Sequence, residues 1–287
     1  MRVLVTGAAG FVGHRFVSAA AEAGHEVYAV DRDASRIAGL PAASVEHDLT
    51  TPIAPAALPA VDAVVHLAQA NVALPQGAPT LLRVNTVSTA DLLAHCRRCG
   101  ARRFVYASTG SVYGLADHPL RESDPLAGND LYAISKIVGE ELVACYREKF
   151  ATFVLRLFAP YGPGQARRMI PRLIARVRDG EAVTVDERGG VRMNPIYVDD
   201  VVRALLEALT LDGDHVVNVA GDEPVSIREL AELIGELVEK QPVFDAARAG
   251  SGGDLVADTS RLHELLSLRP LVSLREGLAA TIGYHSA

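Results

Sequence analysis

The chain has 287 residues, of which 49% are hydrophobic and 22% are charged, and its formal net charge is −7. A chain of this length and composition can bury a large core, either as one domain or as a domain with a smaller lobe. The acidic balance argues against general attraction to nucleic-acid phosphates, so an anionic ligand would need specific arginines.

The sequence carries no obvious targeting segment. Glycines interrupt the N-terminal run MRVLVTGAAGFVG where a signal peptide needs its hydrophobic core. No span approaches the roughly 20 apolar residues of a membrane helix. We therefore expect a cytoplasmic protein that binds neither a membrane nor nucleic acid.

The three cysteines are Cys96, Cys99 and Cys145. An odd number cannot pair fully within one chain, and three thiols fit a reducing compartment. Cys96 and Cys99 form a lone CRRC with no second pair to complete a zinc site, so we interpret them as reduced thiols and expect no metal.

Strand-like apolar runs alternate with helical patterns along the chain. The strand-like runs are RVLVT, HEVYAV, SVEH, DAVVHLA, RFVYAS and TFVLRLF, and the helical patterns cover residues 11–23, 80–99 and 130–150. Near-continuous apolar strands separated by helices are typical of a parallel sheet covered on both faces. We predict an α/β fold with a Rossmann-type, doubly wound parallel sheet.

The predicted domain organisation has two parts. Residues 1–160 form the dinucleotide-binding domain, completed by about 196–220, and residues 161–195 and 221–287 form a smaller substrate-binding lobe. Within this lobe SIRE (226–229) is a capping box that opens a helix, and VSLREGLAATI is typical of a last amphipathic helix. That helix packs either the lobe or a partner, and we expect a homodimer.

A glycine pattern follows the first strand. Gly7, Gly10 and Gly13 have G-x-x-G-x-x-G spacing, one residue different from the dinucleotide fingerprint, and Phe11 and Val12 open the helix between them. Glycine permits the tight turn and lets backbone amides approach a pyrophosphate at the positive end of the helix. A purely structural turn is the alternative explanation.

Asp31 ends the second strand about 20 residues after the glycines, where an acidic side chain can bind the adenosine ribose hydroxyls. An acidic residue there repels a 2′-phosphate, which favours NAD over NADP. Arg32 and Arg36 leave NADP open, because arginine can bind that phosphate; the other interpretation makes them solvated charges.

Two further stretches follow strands at the predicted carboxyl edge of the sheet, where ligands bind in such folds. In EHDLT, Asp48 and Leu49 follow the third strand and are placed to meet the adenine. In VVHLAQA, Leu67 and Ala68 end the fourth strand, and the small residue lets a cofactor lie close. His66 is interpreted as a core or strand-end histidine without a partner.

Tyr132 and Lys136 lie one helical turn apart and therefore project from one helix face. A tyrosine phenol is a poor base at neutral pH unless positive charge stabilises the phenolate, which Lys136 and an oxidised nicotinamide would both supply. Thr109, or its neighbours Ser108 and Ser111, would hold the substrate oxygen while Tyr132 moves the proton. Taken singly, each feature is more often structural than catalytic, but their order after the glycine turn favours one site.

The motifs TGAAGFVG, DLT, HLAQ, STGSVYG, YAISK and RLFAPYGPGQ, in this order, resemble the extended short-chain dehydrogenase/reductase family, in its nucleotide-sugar epimerase and dehydratase branch. The resemblance covers nearly the whole chain. It implies a nicotinamide cofactor, Tyr132 as general acid/base, Lys136 on the nicotinamide ribose, and Thr109 at the catalytic Ser/Thr position. Asn85 matches a helix asparagine near the cofactor, or is simply a buried polar residue.

Departures from the family pattern narrow the reaction. Dehydratases of this family carry Asp-Glu after the catalytic threonine, whereas this chain has Gly110 and Ser111, which argues against dehydration. The family's asparagine before YGP is replaced by Ala159. These differences leave epimerisation or ketone reduction, on a substrate whose contacts are unusual or redistributed.

The C-terminal part offers arginines for the substrate. The resemblance implies that Arg192, in VRMNPIYVDD before a strand-like PIYV, contacts the nucleotide diphosphate, which suits guanidinium geometry. Arg167, Arg168 and Arg172 are interpreted as a solvated helix face. The segment AGSGGD supplies only small residues where an arginine is common in the family.

The sequence thus predicts an NAD-dependent epimerase that oxidises and re-reduces a hydroxyl carbon, C4, of a nucleotide-activated sugar. The first alternative is an NAD(P)H-dependent ketoreductase acting on a keto-sugar or other carbonyl. The second is a non-catalytic dinucleotide sensor, which intact Tyr132 and Lys136 disfavour.

Overall fold

The structure is a computed structural model and describes residues 1–70, 72–166, 168–246, 252–266, 268 and 271–284. Its β-strands are β1 Arg2–Thr6, β2 Glu26–Asp31, β3 Ala43–Glu46, β4 Ala63–His66, β5 Arg103–Thr109, β6 Ala151–Leu157, β7 Val183–Val185, β8 Arg192–Met193, β9 Asp214–Val219, β10 Val225–Ser226 and β11 Phe244–Ala246. Its α-helices are α1 Phe11–Glu22, α2 Ala78–Leu82, α3 Ser88–Cys99, α4 Leu131–Ala144, α5 Met169–Asp179, α6 Val198–Ala208, α7 Ile227–Val238, α8 Ser260–Leu265 and α9 Leu274–Tyr284.

The main sheet has the strand order β3-β2-β1-β4-β5-β6-β9. Strand β1 pairs in parallel with β2 on one side and with β4 on the other, and the pairs β2–β3 and β4–β5 are parallel as well. The chain therefore winds outward from β1 in both directions, which makes the β1/β4 boundary the point where ligands bind in such sheets. This topology confirms the predicted doubly wound fold.

The central strands are buried, which explains why their sequences are nearly continuous apolar runs. In β1, Val3, Leu4 and Val5 are fully buried, and Phe104 and Tyr106 of β5 are fully buried as well. The ends of these strands therefore have fixed positions, and the strands hold the residues that directly follow them in place.

The chain divides into two compact units. The first contains residues 1–112, 126–156 and 202–217, and the second contains residues 113–125, 157–201 and 218–287. In the second unit, the apolar faces of α5, α7 and α9 enclose a core that includes Ile170, Leu230 and Leu278. The substrate-binding role assigned to the C-terminal lobe stays a prediction.

Helix ends differ from the sequence-based expectations in two places. The helix expected over 80–99 begins at Ala78 and contains one π-helical turn, Arg83–Val87, between α2 and α3. The helix expected over 130–150 ends at Ala144 and is followed by turns. Its start is well specified, because the Asp130 side chain caps it by accepting a hydrogen bond from the Ala133 amide (2.8 Å).

The prediction of a strand at PIYV (195–198) was wrong. Pro195 has no amide to donate, and Tyr197 makes only an isolated bridge with Tyr161 before α6 begins at Val198. The strand lies just before it, where Arg192 and Met193 form β8 and pair antiparallel with β10. The predicted capping box is confirmed, since Ser226 and Glu229 exchange side-chain to backbone hydrogen bonds at the start of α7.

Candidate active site

The glycine turn between β1 and α1 is packed too closely for side chains. A Cβ on Gly13 would lie 2.2 Å from the Gly7 carbonyl oxygen, and one on Gly7, which has φ of 68°, would lie 2.7 Å from the Ala68 amide nitrogen. Helix α1 starts after Gly10 without a side-chain cap, so its first amides are available to an anionic ligand. This geometry fits a dinucleotide pyrophosphate.

Asp31 is placed to bind ribose hydroxyls at the end of β2. One carboxylate oxygen accepts a hydrogen bond from the Ala9 amide (3.2 Å), while the other is buried with no hydrogen-bond partner among the described residues. A buried acceptor without a donor is costly unless a ligand hydroxyl satisfies it. Arg36 lies 3.7 Å from that oxygen, whereas Arg32 is exposed.

The residues expected along the adenine and the cofactor lie at the ends of β3 and β4. Asp48 is exposed, and a hydrogen bond from the Thr50 amide lowers the pKa of its carboxyl. Leu49 and Ala68 are buried and Leu67 is half-buried. The Ala68 backbone lies against Gly7, so the turns after β1 and β4 meet at the switch point.

Asn85 links three parts of this site. Its side-chain oxygen, Oδ1, accepts from the Ala70 backbone amide (3.0 Å), and its side-chain nitrogen, Nδ2, donates to the Ser135 hydroxyl (3.0 Å). Ser135 in turn donates to the Tyr132 carbonyl oxygen (2.7 Å). Asn85 therefore ties the loop after β4 to the helix that carries the acid/base candidate, and its place beside the cofactor stays a prediction.

Tyr132 and Lys136 both lie on the first turns of α4, as the sequence predicted. The Tyr132 hydroxyl donates to the Gln69 side-chain oxygen (2.7 Å). Lys136 is 1% exposed; its ammonium donates to the Ala107 carbonyl oxygen (2.7 Å) and lies 4.7 Å from the centre of the Tyr106 ring. Burial lowers the pKa of Lys136 to about 7.

Gln69 is a site residue that sequence reasoning missed. It lies in the HLAQ motif, 63 residues before Tyr132, and the motif carried no role for its side chain. The two meet because the loop after β4 and the start of α4 come together at the carboxyl edge of the sheet.

The three hydroxyl candidates have different surroundings. The Thr109 oxygen accepts from the Ser111 amide (3.2 Å), and the two side-chain oxygens are 3.2 Å apart. The Ser108 hydroxyl instead donates to Glu140, and Ser108 is buried. This contact favours a structural role for Ser108, whereas the substrate-binding roles of Thr109 and Ser111 stay predictions.

Glu140 and Arg156 form a buried ion pair behind these residues. The shortest of their hydrogen bonds, from an Arg156 terminal nitrogen, is 2.6 Å long, and the two side chains are 7% and 6% exposed. The sequence held a signal for this pair, an arginine inside the apolar strand TFVLRLF and a glutamate one turn after Lys136.

His66 has partners, contrary to the expectation from the sequence. Its Nδ1 lies 2.7 Å from the Thr6 hydroxyl and its Nε2 lies 3.1 Å from the Thr89 hydroxyl. Because Thr89 donates to the Asn85 carbonyl oxygen (2.8 Å), Nε2 carries the proton and Nδ1 accepts from Thr6. Burial lowers the pKa of His66 to about 3, so it is a neutral connector in the core.

In the second unit, Arg192 is already hydrogen-bonded. Its guanidinium donates to the Glu229 carboxylate (3.1 Å) and to the Pro224 carbonyl oxygen (3.0 Å). A diphosphate contact would compete with these bonds, and it stays a prediction. Arg168 and Arg172 are exposed, while Arg167 and the first three residues of AGSGGD (249–251) lie outside the described residues.

The part of the chain that the structure describes offers neither clustered metal ligands nor a membrane-spanning helix. No group of three or more His, Cys, Asp or Glu side chains there is arranged to hold a metal ion. None of its helices is both long enough and apolar enough to cross a bilayer.

The model of the NAD dependent epimerase/dehydratase family matches residues 3–220. The chain belongs to this family. Its cofactor is NAD, in agreement with the sequence prediction, and the crowded glycine turn and the unsatisfied oxygen of Asp31 fit that cofactor.

Curated relatives carry out several reactions. The chain is 29% identical to an uncharacterized UDP-glucose epimerase, YtcB, of Bacillus subtilis (strain 168), over 100% of this chain and 98% of that protein. It is 29% identical to UDP-glucuronic acid decarboxylase 6 of Arabidopsis thaliana, over 97% and 87%. It is 31% identical to a dTDP-glucose 4,6-dehydratase of Streptomyces griseus, over 99% and 93%.

Two solved structures illustrate the likeness of fold. MoeE5 in complex with UDP-glucose and NAD is 32% identical, with a TM-score of 0.88 over 100% of this chain and 99% of that chain. UDP-glucuronic acid 4-epimerase from Bacillus cereus, in complex with UDP-glucuronic acid and NAD, is 26% identical, with a TM-score of 0.89 over the same shares. The chain is therefore an enzyme of this family.

Proposed function

We propose that the chain is an NAD-dependent epimerase that inverts C4 of a nucleotide-activated sugar. The observation that carries this proposal is that α4, with Tyr132 and Lys136, packs against β5, which ends at Thr109. Gly110 and Ser111 stand where dehydratases of the family carry acidic residues. The 4-epimerase among the similar structures and the UDP-glucose epimerase among the relatives support it.

The chain's own residues have distinct tasks in this reaction. Thr109, with Ser111, holds the substrate C4 oxygen by a hydrogen bond, and Tyr132 takes the proton from that oxygen. Lys136 stabilises the resulting phenolate by its positive charge. NAD, when bound, would supply the hydride acceptor and donor for C4. Tyr132 gives the proton back to the C4 oxygen when the alcohol is formed again.

The first experiment is mass spectrometry of the nucleotide that the freshly purified protein releases on denaturation. Near-stoichiometric NAD supports an epimerase, because the hydride returns and the cofactor need not leave. UDP-glucose and UDP-glucuronic acid are then assayed for 4-epimerisation, followed by dTDP- and GDP-sugars. An empty protein that consumes NADPH with a keto-sugar would contradict the proposal and establish the ketoreductase, and release of CO2 from UDP-glucuronic acid would establish a decarboxylase.

Tyr132→Phe tests the acid/base assignment. We expect kcat to fall roughly 10²- to 10⁴-fold, because the proton has no acceptor, while NAD stays bound. Tyr28→Phe is the matched control, since the Tyr28 hydroxyl is exposed and donates to Glu26 (2.6 Å). Unchanged turnover in Tyr132→Phe would rule out this role.

We also propose that the enzyme is a homodimer. Large apolar side chains are exposed on helices α2 and α4 and on the π-helical turn, which pack together. They are Leu82, Val87, Ile134 and Val138, which are 40–47% exposed. We assign a second copy of this chain as the partner that covers this face, because the sequence analysis expects a homodimer. Light scattering of the wild type and of Ile134→Glu is expected to give a dimer and a monomer, and a monomeric wild type would contradict the proposal.

A further inference from the structure

Helix α4 places three functional groups on successive turns of one face. Tyr132, Lys136 and Glu140 are separated by four residues each, so their side chains follow one another along the helix. Lys136 is 1% exposed and Glu140 is 7% exposed. The Lys136 cation and the Glu140 anion are therefore buried on the two helical turns that follow Tyr132.

Arg156 of β6 holds the Glu140 carboxylate. The Arg156 Nε atom lies 3.1 Å from Oε1 and 3.2 Å from Oε2 of Glu140, and a terminal nitrogen donates to Oε2 at 2.6 Å. Burying two charges is expensive, and apolar residues of similar volume often serve stability equally well. The pair therefore calls for a role other than stability.

The same face of α4 is joined to the end of β5 by two polar contacts. The Lys136 ammonium donates to the Ala107 carbonyl oxygen (2.7 Å), and the Ser108 hydroxyl donates to Glu140. Thr109 is the next residue of β5. These contacts therefore set the distance between the hydroxyl that holds the substrate and the helix that carries Tyr132.

We infer that Glu140, held by Arg156, is a positioning residue for the Tyr132 and Lys136 pair. It places a negative charge one helical turn from the buried Lys136 ammonium and fixes α4 against the end of β5. The inference rests on the proposed acid/base role of Tyr132.

The charges around Lys136 support this assignment. Burial lowers the pKa of Lys136, and the Glu140 carboxylate opposes that shift. The other described groups nearby do not supply a negative charge: burial raises the pKa of the Tyr106 phenol and lowers that of His66 to about 3, so both are neutral. Arg156 is positive and directed at Glu140.

The test is an ultraviolet titration of tyrosinate in the NAD-loaded protein, which needs no substrate. The chain has no tryptophan and 8 tyrosines, so the difference between a protein and its Tyr132→Phe variant isolates Tyr132. In Glu140→Gln we expect the midpoint of Tyr132 to rise by about one pH unit, because Lys136 loses its proton more readily. Glu141→Gln, the same change at an exposed neighbour, is expected to leave the midpoint unchanged.

Glu140→Gln combined with Arg156→Met removes both charges and keeps the titration interpretable where the single variant folds poorly. The same upward shift is expected in this double variant. A depressed midpoint in the wild type that neither variant moves would overturn the inference and leave the proposed function standing. A wild-type midpoint equal to that of an ordinary tyrosine would overturn the proposed acid/base role, and this inference with it.

Discussion

Two ion pairs, one in each compact unit, differ in burial. The first unit buries the Glu140–Arg156 pair beside Lys136, where neither partner of the pair is more than 7% exposed. The second unit keeps its pair Arg188–Asp254 near solvent, with side chains 55% and 21% exposed. The Glu140–Arg156 pair is therefore expected to be strongly coupled to stability and chemistry, and the Arg188–Asp254 pair only weakly.

The sharpest test of that difference is removal of one arginine from each unit. Arg156→Met is expected to lower the free energy of unfolding by about 3–5 kcal/mol, because it leaves a buried carboxylate unpaired. Arg188→Met is expected to cost about 0–1 kcal/mol, because water replaces the lost partner. Urea unfolding monitored by circular dichroism measures the free energy of unfolding of both variants. Equal losses of stability would contradict the difference expected between the two ion pairs.

A second comparison uses glycines in helices of the two units. Gly13→Ala is expected to destabilise by about 1–3 kcal/mol and to weaken NAD retention, because the new methyl would meet the Gly7 carbonyl oxygen. Gly283, in α9, has nothing within 4 Å of an added Cβ. Gly283→Ala is therefore expected to stabilise by roughly 0.5–1 kcal/mol. Thermal unfolding and nucleotide release are the measurements, and a tolerated Gly13→Ala would mean that the turn can relax.

Histidines in the two units predict opposite pH dependences. His66 has a folded pKa of about 3 against an ordinary value of 6.5, so between these values the unfolded chain binds more protons and stability falls as pH falls. In His66→Gln the free energy of unfolding is expected to fall less as the pH is lowered through this range. The pKa of exposed His118 is instead raised by Asp117 and Asp124, so its small contribution is present in acid and lost as pH rises. Unfolding curves across this pH range check both signs; parallel curves for wild type and His66→Gln would contradict the first.

The smallest expected effect lies at the end of α7, in the second unit. Glu239 has φ of 55°, in the left-handed region that favours glycine. Glu239→Gly is therefore expected to stabilise by about 0.5–1 kcal/mol. The matched control is Glu232→Gly, inside the same helix, which is expected to destabilise by about 1 kcal/mol. Differential scanning calorimetry measures the change in Tm for both variants. Changes of the same sign would contradict the assignment of Glu239 to a position that favours glycine.

Local patterns in the sequence determined much of this protein. The strand runs predicted the parallel sheet, the spacing of Gly7, Gly10 and Gly13 predicted the turn, and the four-residue interval between Tyr132 and Lys136 placed both on one helix face. Each of these features depends on residues within one or two consecutive elements. Their geometry follows from backbone periodicity, which can be read without knowing the fold.

Only the tertiary structure decided which groups face each other across elements. Tyr132 meets Gln69 at a separation of 63 residues, Ser108 donates to Glu140, and Arg156 reaches Glu140 from β6. The apolar pattern of PIYV predicts a strand, yet its proline and the start of α6 at Val198 keep it from pairing in a sheet. Such pairings depend on how each helix is rotated and shifted on the sheet, which long-range core packing sets and local periodicity does not encode.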